Sequence, residues 1–388
     1  MSNTRKCIRQ AIIIVLSMIV GSLITIFIRS DGSIKRIYSD YEEFGPLYEA
    51  YDVLKEKYYK KVDTSKLVEG AINGMMGALD DEHSIYFDKE SKENFDTELS
   101  GTYYGIGAQI VTNEDGTVSI TKIFDGSPAE KAGLKVDDVF VSIDGKSTEG
   151  MDSSEIASTL RSESSKKATI VMRRNGEEKT FEVIKENITL FSVSSEMLEK
   201  NVGYINVSIF GEKTYDQFKN ALSELENKNM KSLIIDLRGN SGGYLTTVSS
   251  MLDLFVERGK VIYKMETNSG IKEYKSKGNR GKNYKIVVLI DENSASASEI
   301  MSAALKEQYG ATLVGKKTYG KGTVQVTENL SDGTMIKYTV EKWLTPSENN
   351  IDKVGIKPDY EVELSEEYYK NPTKNNDNQL QKALELLK

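Results

Sequence analysis

The chain has 388 residues, a length that indicates two or three domains rather than one. Hydrophobic residues make up 38% of it, enough for packed cores, and its formal charge of −8 argues against nucleic acid as a partner. The chain has one histidine, His83, and one cysteine, Cys7. It therefore has almost no residues from which to build a histidine-based triad, a disulfide or a zinc site. We therefore expect neither a metal nor a cofactor.

An apolar run near the N-terminus, residues 11–28, carries no charge over 18 positions. A helix of that length rises about 27 Å, close to the ~30 Å hydrocarbon core of a bilayer. Arg5, Lys6 and Arg9 precede the run, which by the positive-inside rule places everything after Arg29 outside the cytoplasm. The alternative is a cleaved signal peptide, but the run is long for one and no small-x-small cleavage site follows. We predict a single-pass anchor in the cell membrane.

Apolar residues then recur with a helical period, which predicts a helical hairpin within residues 30–98. One stripe is Leu47, Tyr51, Leu54 and Tyr58, and a broader one spans residues 67–79 with Asp63 as a candidate N-cap. Whether these stripes pack on the same chain or on a second copy is open at this stage.

Short alternating strands follow in residues 99–186, with the run SPAEKAGL between them. In that run Ser127 can cap a helix, Pro128 suits its first position and Glu130 can close a capping box. The order of elements resembles a PDZ domain of the bacterial protease type. The resemblance implies that the glycine-rich tripeptide forms a loop whose backbone N–H groups converge on a peptide's terminal carboxylate. Its members are Gly105, Ile106 and Gly107.

Residues 187–364 alternate near-continuous apolar runs with helical stretches, which predicts an α/β core whose strands are buried on both faces. The apolar runs are VGYINVSIF, KSLIIDL and YKIVVLID, and the helical stretches are 213–228, 243–257 and 297–308. Residues 365–388 read as a polar linker followed by a short amphipathic helix.

Ser296 lies between a predicted strand and a predicted helix. The N–H of Ala297 is at the helix N-terminus, where unpaired amides and the helix dipole favour developing negative charge. The alternative is a plain N-cap serine, and Ser294 or Ser298 could serve equally, so this segment alone leaves the question open.

Lys321 stands between two glycines, and in an extended chain it shares one face with Thr323 and Gln325, so Gln325 can orient it. A lysine base must be neutral, yet at a pKa of about 10.4 only about one lysine in 2,500 is neutral at pH 7. Burial can lower that pKa by ~3 units. The alternative is a surface lysine in a glycine turn.

The segment DLRGNSGGYL, residues 236–245, joins a strand to a helix. Its glycines can bring a backbone N–H close to a substrate carbonyl, and with the Ala297 N–H this makes an oxyanion hole. A phosphate-binding loop is the competing interpretation, but neither the GxxxxGK[ST] nor the GxGxxG spacing is present.

Together these segments resemble the carboxyl-terminal processing peptidases, or tail-specific proteases, which are serine peptidases with a Ser/Lys dyad. The matching segments cover nearly the whole chain after the anchor and are LDDEHSIYF, GIGAQI, SPAEKAGL, DLRGNSGG, NSASASEI, YGKGTVQ and WLTPSENNIDKVGIKPD. One departure is Asp81-Glu82-His83-Ser84, where the family usually has Asp-Pro-His-Ser, and a second is Glu348-Asn349-Asn350, where it often has Gly-Arg.

The resemblance implies that Ser296 is the nucleophile, Lys321 the general base and Gln325 the residue that positions it. It also implies that Gly242 and Ala297 supply the oxyanion amides, with Gly243 as the alternative to Gly242. His83 is interpreted as a structural residue that ends a helix, because a catalytic role would need a long reach from a distant region.

The predicted fold is a multidomain α/β (α+β) chain with a crotonase-like α/β peptidase core. Its parts are a cytoplasmic N-terminus (1–10), a transmembrane anchor (11–28), a helical region (30–98), a PDZ domain (99–186), the core (187–364) and a linker with a C-terminal helix (365–388). The predicted function is a membrane-anchored serine endopeptidase acting on proteins or peptides with free C-termini, with a homodimer expected from the family. The alternatives are a non-catalytic anchored PDZ scaffold that binds C-terminal peptides and, less favoured, a crotonase-like acyl-transfer enzyme.

Overall fold

The computed structural model describes residues 42–162, 165–267, 269–278 and 282–388. The predicted membrane anchor, residues 11–28, lies outside them. Within the described ranges, no helix combines the length and the apolar character needed to cross a membrane. The described residues fall into two compact units, which are divided between Asp80 and Asp81.

In the first unit, the described residues form two helices, α1 (residues 42–57) and α2 (Thr64–Gly77). The predicted N-cap is confirmed, because the Asp63 carboxylate accepts a hydrogen bond from the Ser65 N–H at 3.0 Å. No residue of α2 is buried. Several side chains of the predicted apolar stripes are exposed, with Leu47, Leu54, Tyr58, Val68 and Met75 each more than 40% accessible.

The second unit begins with strand β1 (Ile85–Phe87) and helix α3 (Lys89–Ser100), followed by the region predicted to be a PDZ domain. The strands of this region are β2 (Thr102–Gly105), β3 (Ala108–Thr112), β4 (Val118–Ile123), β5 (Val139–Ile143), β6 (Lys146–Ser147), β7 (Lys167–Arg174), β8 (Glu177–Ile184) and β9 (Glu186–Thr189). Its helices are α4 (Pro128–Lys131) and α5 (Ser153–Arg161). The main sheet runs β3-β4-β5-β7-β8, so β3 is an edge strand, and β2 pairs with β9.

The predicted helix start at Ser127 is present, since the Ser127 Oγ accepts from the Glu130 N–H at 3.2 Å. The Glu130 carboxylate accepts from the Gly126 N–H at 2.6 Å, so it binds one residue earlier than a capping box requires. Fully buried Ile120, Ile156 and Ile170 form the centre of the PDZ core.

The predicted α/β core contains a six-stranded sheet. Its order is β10 (Val193–Leu198), β11 (Val202–Val207), β12 (Ser232–Asp236), β15 (Lys285–Ile290), β16 (Thr312–Gly315) and β19 (Tyr360–Glu361). All neighbours are parallel except β10 and β11. Helices α6 (Thr214–Asn227), α7 (Leu245–Leu252) and α8 (Ala297–Ala304) cover one face, and α10 (Asn378–Leu386) covers the other. The central strands are therefore buried on both faces, as their apolar runs predict.

A second core sheet joins β1 to the strands β13 (Val261–Thr267), β14 (Gly270–Lys275), β17 (Thr323–Asn329) and β18 (Met335–Leu344). Its order is β1-β18-β13-β14, and β17 also pairs with β18. The pairing of β1 with β18 brings the segment just before β1 against the core. The part of the chain expected to be a polar linker contains a short helix, α9 (Glu366–Lys370), so it is more ordered than its composition suggests.

Candidate active site

Ser296 is held at the start of α8 in a sparsely populated backbone conformation, with φ of 55° and ψ of −114°. The turn before it is fixed from the side, because the Ser294 Oγ donates to the Leu237 carbonyl at 2.8 Å and the Ala295 N–H donates to the Asn240 carbonyl at 3.0 Å. Ser296 lines a cavity of about 720 Å³ that it shares with Lys321. The two residues of the expected dyad are thus brought to one cavity.

The backbone of Lys321 is fixed on both sides. Its N–H donates to the Glu299 Oε2 at 2.9 Å, and its carbonyl accepts from the indole N–H of Trp343 at 2.8 Å. The donor of the second contact is rigidly placed, because Trp343 is only 1% exposed. The flexibility of the lysine is therefore confined to its side chain.

Burial lowers the pKa of Lys321 to about 8, and the nearby ammonium of Lys337 acts in the same direction. Asp81, Glu299 and Glu82 oppose this effect by stabilising the charged form. Burial also lowers the pKa of Lys337, whose Nζ lies 5.3 Å from the ring centroids of both Phe87 and Phe95. With a pKa of about 8, about one Lys321 in ten is neutral at pH 7.

Glu299 is a buried carboxylate that connects the serine and lysine segments. Its Oε2 accepts from the N–H groups of Ser296 and Lys321, both at 2.9 Å. Its Oε1 accepts from the Gly320 N–H at 2.8 Å and the Thr318 hydroxyl at 2.6 Å. Burial raises the pKa of Glu299, and these four donors act against that shift. The sequence analysis did not single out Glu299, although the spacing Ser-x-x-Glu at a helix start could have pointed to it.

Gln325 lies on β17 in the same cavity as Lys321. Its Nε2 donates to the hydroxyls of Thr323 at 2.8 Å and Thr339 at 3.1 Å. Both of these hydrogen bonds use the amide nitrogen, so the amide carbonyl oxygen stays available to accept from the lysine amine.

The segment Asp81–Ser84 lies closer to Lys321 than the sequence suggested. The expectation that His83 ends a helix is wrong, because α2 ends at Gly77 and His83 sits in a turn whose Asp81 carboxylate accepts from the His83 N–H at 3.1 Å. Burial and the charge of Lys321 both lower the pKa of His83. The distance in sequence does not mean a distance in space, since the β1–β18 pairing brings this turn near Lys321, whose charge acts on the pKa of His83. That His83 is not the base stays a prediction.

The glycine loop after β12 packs directly on the serine turn. A Cβ at Gly242 would lie 2.8 Å from the Ser296 Cβ and 3.2 Å from the Ala297 nitrogen, and its φ is +113°, so only glycine fits. The Gly242 N–H donates to the Asn240 Oδ1 at 2.9 Å. Among the described residues, nothing accepts a hydrogen bond from the N–H of Gly243 or Ala297. In this conformation the N–H of Gly243 is more available to a substrate than the N–H of Gly242, which already has an acceptor. That Gly242 supplies an oxyanion amide stays a prediction.

The same loop is tied to the C-terminal helix by an ion-pair cluster. The Arg238 guanidinium donates to Asp236 at 2.6 Å and to Asp377, which caps α10, at 2.8 Å. Tyr204 donates to the Asp236 carboxylate at 2.7 Å. Asp236 and Asp377 are 2% and 3% exposed, so the charges are neutralised inside the protein.

The candidate carboxylate loop of the PDZ domain joins β2 to β3. Its carbonyls are engaged, because the Ile106 carbonyl accepts from the Ala129 N–H at 2.8 Å and the Gly107 carbonyl accepts from the Phe124 N–H at 3.0 Å. A cavity of about 330 Å³ lies beside the loop and is lined by β3 and α5. Gly105 and Ile106 both line it, which is the position a peptide-terminus site would need.

Three family descriptions match parts of the chain. They are peptidase family S41 over residues 201–362, the N-terminal domain of the activating protease CtpB over residues 29–91, and a PDZ domain over residues 120–174.

The carboxy-terminal processing protease CtpA of Bacillus subtilis is 38% identical over 373 residues, which cover 95% of this chain and 80% of that protein. The carboxy-terminal processing protease CtpB of the same organism is 40% identical over 329 residues, which cover 83% of this chain and 68% of that protein. The crystal structure of a putative S41 protease from Bacteroides fragilis shares the fold, with a TM-score of 0.52 and 16% identity over 87% of this chain and 96% of that one. The chain therefore belongs to the carboxy-terminal processing proteases of peptidase family S41 and is a serine-type peptidase with a PDZ domain.

Proposed function

We propose that this peptidase hydrolyses protein substrates with a Ser296/Lys321 dyad after its PDZ domain has captured their C-terminal tails. The observation that carries the proposal is the shared cavity, in which burial lowers the pKa of Lys321 to about 8. A lysine with that pKa is neutral often enough to accept the serine proton at physiological pH.

In the proposed reaction, the neutral Lys321 amine takes the proton from the Ser296 hydroxyl while the Oγ attacks the scissile carbonyl. The resulting oxyanion accepts hydrogen bonds from the Ala297 N–H and from Gly242 or Gly243. The ammonium then gives its proton to the departing amine, which leaves an acyl-enzyme. A water molecule, deprotonated by the same lysine, hydrolyses the ester and restores the serine.

Two further side chains hold this arrangement. Glu299 fixes the distance between the serine and lysine segments, because one of its oxygens binds the N–H groups of both residues. Gln325 presents its carbonyl oxygen to the amine and so stabilises the ammonium that forms during the reaction.

The PDZ domain supplies the tail site. Among the strands that the structure describes, β3 pairs with β4 alone, so its other edge can accept an incoming tail as an added strand. The tail's carboxylate would then reach the backbone N–H groups of the loop at Gly105, Ile106 and Gly107.

We further propose that residues 11–28 anchor the protein in the cell membrane with the catalytic part outside the cytoplasm. The uncharged run and the preceding basic residues support this. Retention in the membrane pellet after alkaline carbonate extraction, and digestion of the catalytic part by protease added outside the cells, would test it. Release of a soluble protein by carbonate would refute the anchor.

A homodimer through the first unit is also proposed, supported by the exposed apolar side chains of α1 and α2. Light scattering on the purified catalytic chain should give twice the monomer mass. A monomer at micromolar concentration would refute it.

The deciding experiment compares wild type with the Ser296→Ala and Lys321→Ala variants on one peptide substrate, made with a free and with an amidated C-terminus. Both variants should fold and bind the free-acid peptide but lose hydrolysis by several orders of magnitude. Binding without turnover by wild type would favour the non-catalytic scaffold instead. Equal kcat/KM on the two substrates would refute tail reading.

A further inference from the structure

The catalytic cavity contains a second lysine, Lys337, that the reaction proposed above does not use. Lys337 lies on β18, where it stands opposite Thr327 of β17. Two positions further along β18, Thr339 stands opposite Gln325 and accepts a hydrogen bond from its amide at 3.1 Å. Side chains two positions apart on a strand share a face, so Lys337 projects from the same face as Thr339, about 7 Å along the strand. The ammonium is therefore placed one strand pair beyond the residue proposed to position the base.

Two aromatic rings hold this ammonium in place. Its Nζ lies 5.3 Å from the ring centroids of both Phe87 and Phe95, and the two centroids are 5.0 Å apart. A lysine ammonium at this distance is attracted by the electrons of an aromatic ring. The attraction uses none of the three N–H donors in a conventional hydrogen bond, so these donors stay available for a ligand.

The Lys337 ammonium has no acceptor within the part of the chain that the structure describes, since none of those residues forms an ion pair or a hydrogen bond with it. Burial lowers its pKa, and Glu98 on the same cavity wall opposes that shift without pairing with it. Asp96, also on that wall, is paired with Lys92 at 2.6 Å instead. No side-chain nitrogen or oxygen in the described ranges is both buried and without a partner, so the Nζ of Lys337 is open to the cavity.

A carboxylate of the substrate is the group that would complete this site. Burial removes part of the hydration of the ammonium, and a hydrogen bond to an ionised carboxylate is roughly twice as strong as one to a neutral acceptor. A peptide offers carboxylates in two places, the side chains of its acidic residues and its C-terminus. An extended peptide advances about 3.3 Å per residue, so the separation of about 7 Å along β18 corresponds to about two residues. A carboxylate close to the scissile bond can therefore reach Lys337, whereas one far along the tail cannot.

We propose that Lys337 is a specificity residue that binds a carboxylate of the substrate a few residues from the scissile bond. The enzyme should then cleave peptides with a carboxylate at that position faster than the matched neutral peptides. This inference rests on the proposed use of the cavity by the Ser296/Lys321 dyad.

The first test compares pairs of internally quenched peptides that differ only by Glu or Gln at one position. The parent peptide is selected by wild-type cleavage at a single bond, which mass spectrometry identifies, and the Glu/Gln pair is placed in turn at each position near that bond. Both members of a pair have the same long tail and the same free C-terminus, so tail reading by the PDZ domain is equal for the two. The measured quantity is the ratio of their kcat/KM values within one enzyme, which cancels any change in the pKa of Lys321 that a substitution causes.

We expect wild type to prefer Glu over Gln by about tenfold at one position or more, which is the lower end of the effect of a hydrogen bond to a charged group. Lys337→Met and Lys337→Gln should bring the ratio close to one, because both remove the positive charge. Lys337→Arg should keep the preference, and Lys337→Glu should reverse it. Lys342→Met is the matched control and should keep the wild-type ratio, since Lys342 is exposed on the same strand.

A second set of peptides identifies the source of the carboxylate. These peptides end at each of the same positions and are prepared as free acids and as amides. A preference for the free acid that disappears in Lys337→Met assigns the site to the terminal carboxylate, whereas a preference for the PDZ-bound tail survives that substitution. A Glu preference that disappears in the first set assigns it to an acidic side chain.

Circular dichroism on each variant shows whether it is folded, and the neutral variants Lys337→Met and Lys337→Gln serve as replacements for each other. If wild type cleaves the peptides but neither set shows a carboxylate preference that depends on Lys337, the inference is overturned and the proposed function is not affected. Full activity of Ser296→Ala or Lys321→Ala on the same peptides would overturn the proposed function itself.

Discussion

The pH dependence of peptidase activity is the most direct test of Lys321 as the general base, because the pKa of Lys321 is lowered. If Lys321 must be neutral to act, activity is lost as pH falls below the pKa of about 8. The neutral fraction is about 1% at pH 6 and about one half at pH 8, so kcat/KM should rise about fifty-fold over that interval and level off about two units higher.

The assay is initial-rate cleavage of a fluorogenic peptide with a free C-terminus, at constant ionic strength between pH 5.5 and 10. Circular dichroism at each pH confirms that the enzyme stays folded. A flat profile, or a midpoint near the ordinary lysine value of 10.5, would refute the assignment of a buried lysine base.

The charged neighbours of Lys321 predict the direction in which a substitution should shift the midpoint of the pH profile. Lys337 lowers the pKa of Lys321, so Lys337→Met should move the midpoint upward, whereas Asp81 raises it, so Asp81→Asn should move the midpoint downward. Lys342→Met is the control, because Lys342 is exposed on the same strand as Lys337. Shifts in the reverse directions would show that another group controls the profile.

Three other substitutions follow from the packing. Glu299→Gln places an amide NH₂ opposite two N–H donors that now bind the carboxylate. It should lower the free energy of unfolding by about 2–6 kcal/mol and kcat by more than about tenfold. Wild-type stability in urea would contradict this prediction. Gly107→Ala should weaken the binding of a free-acid tail peptide at least about tenfold, since the new Cβ would lie 2.4 Å from the Ser127 Cβ. Its control is Gly116→Ala, which has a similar φ and nothing within 4 Å, and equal Kd values for the two would contradict the prediction. Asp377→Ala removes one of two buried carboxylates on a guanidinium and should cost about 3 kcal/mol in urea unfolding; a change within the error of the measurement would contradict it.

Local signals account for what the sequence predicts well. The buried strands of the core follow from continuous apolar runs, and the helix starts at Asp63 and Ser127 follow from capping residues, because each signal and its consequence lie within a few positions. Ser296, Lys321 and Gln325 were singled out from two short segments, and the fold brings all three to one cavity.

Long-range contacts account for what the sequence analysis missed. The Thr339 N–H donates to the Ser84 hydroxyl across 255 positions, and this contact holds the Asp81 turn beside the lysine. No rule of periodicity or residue spacing predicts a hydrogen bond between residues so far apart in sequence. The segment before α10 was interpreted as a linker for the same reason, since its composition is polar and the residue that binds Asp377 lies far upstream.

The cluster around Arg238 also bears on the order in which the enzyme becomes complete. Asp377 follows Arg238 by 139 positions, so the loop that carries Gly242 stays without its second carboxylate until that stretch has been synthesised. At translation rates of about 5–20 residues per second, this takes roughly 7–28 s. Only in the last part of that interval, after Lys321 has been added, does the nascent chain contain both Ser296 and Lys321 while the glycine loop beside them still lacks this contact. The glycine loop therefore gains its last side-chain anchor only after nearly the whole polypeptide has been made.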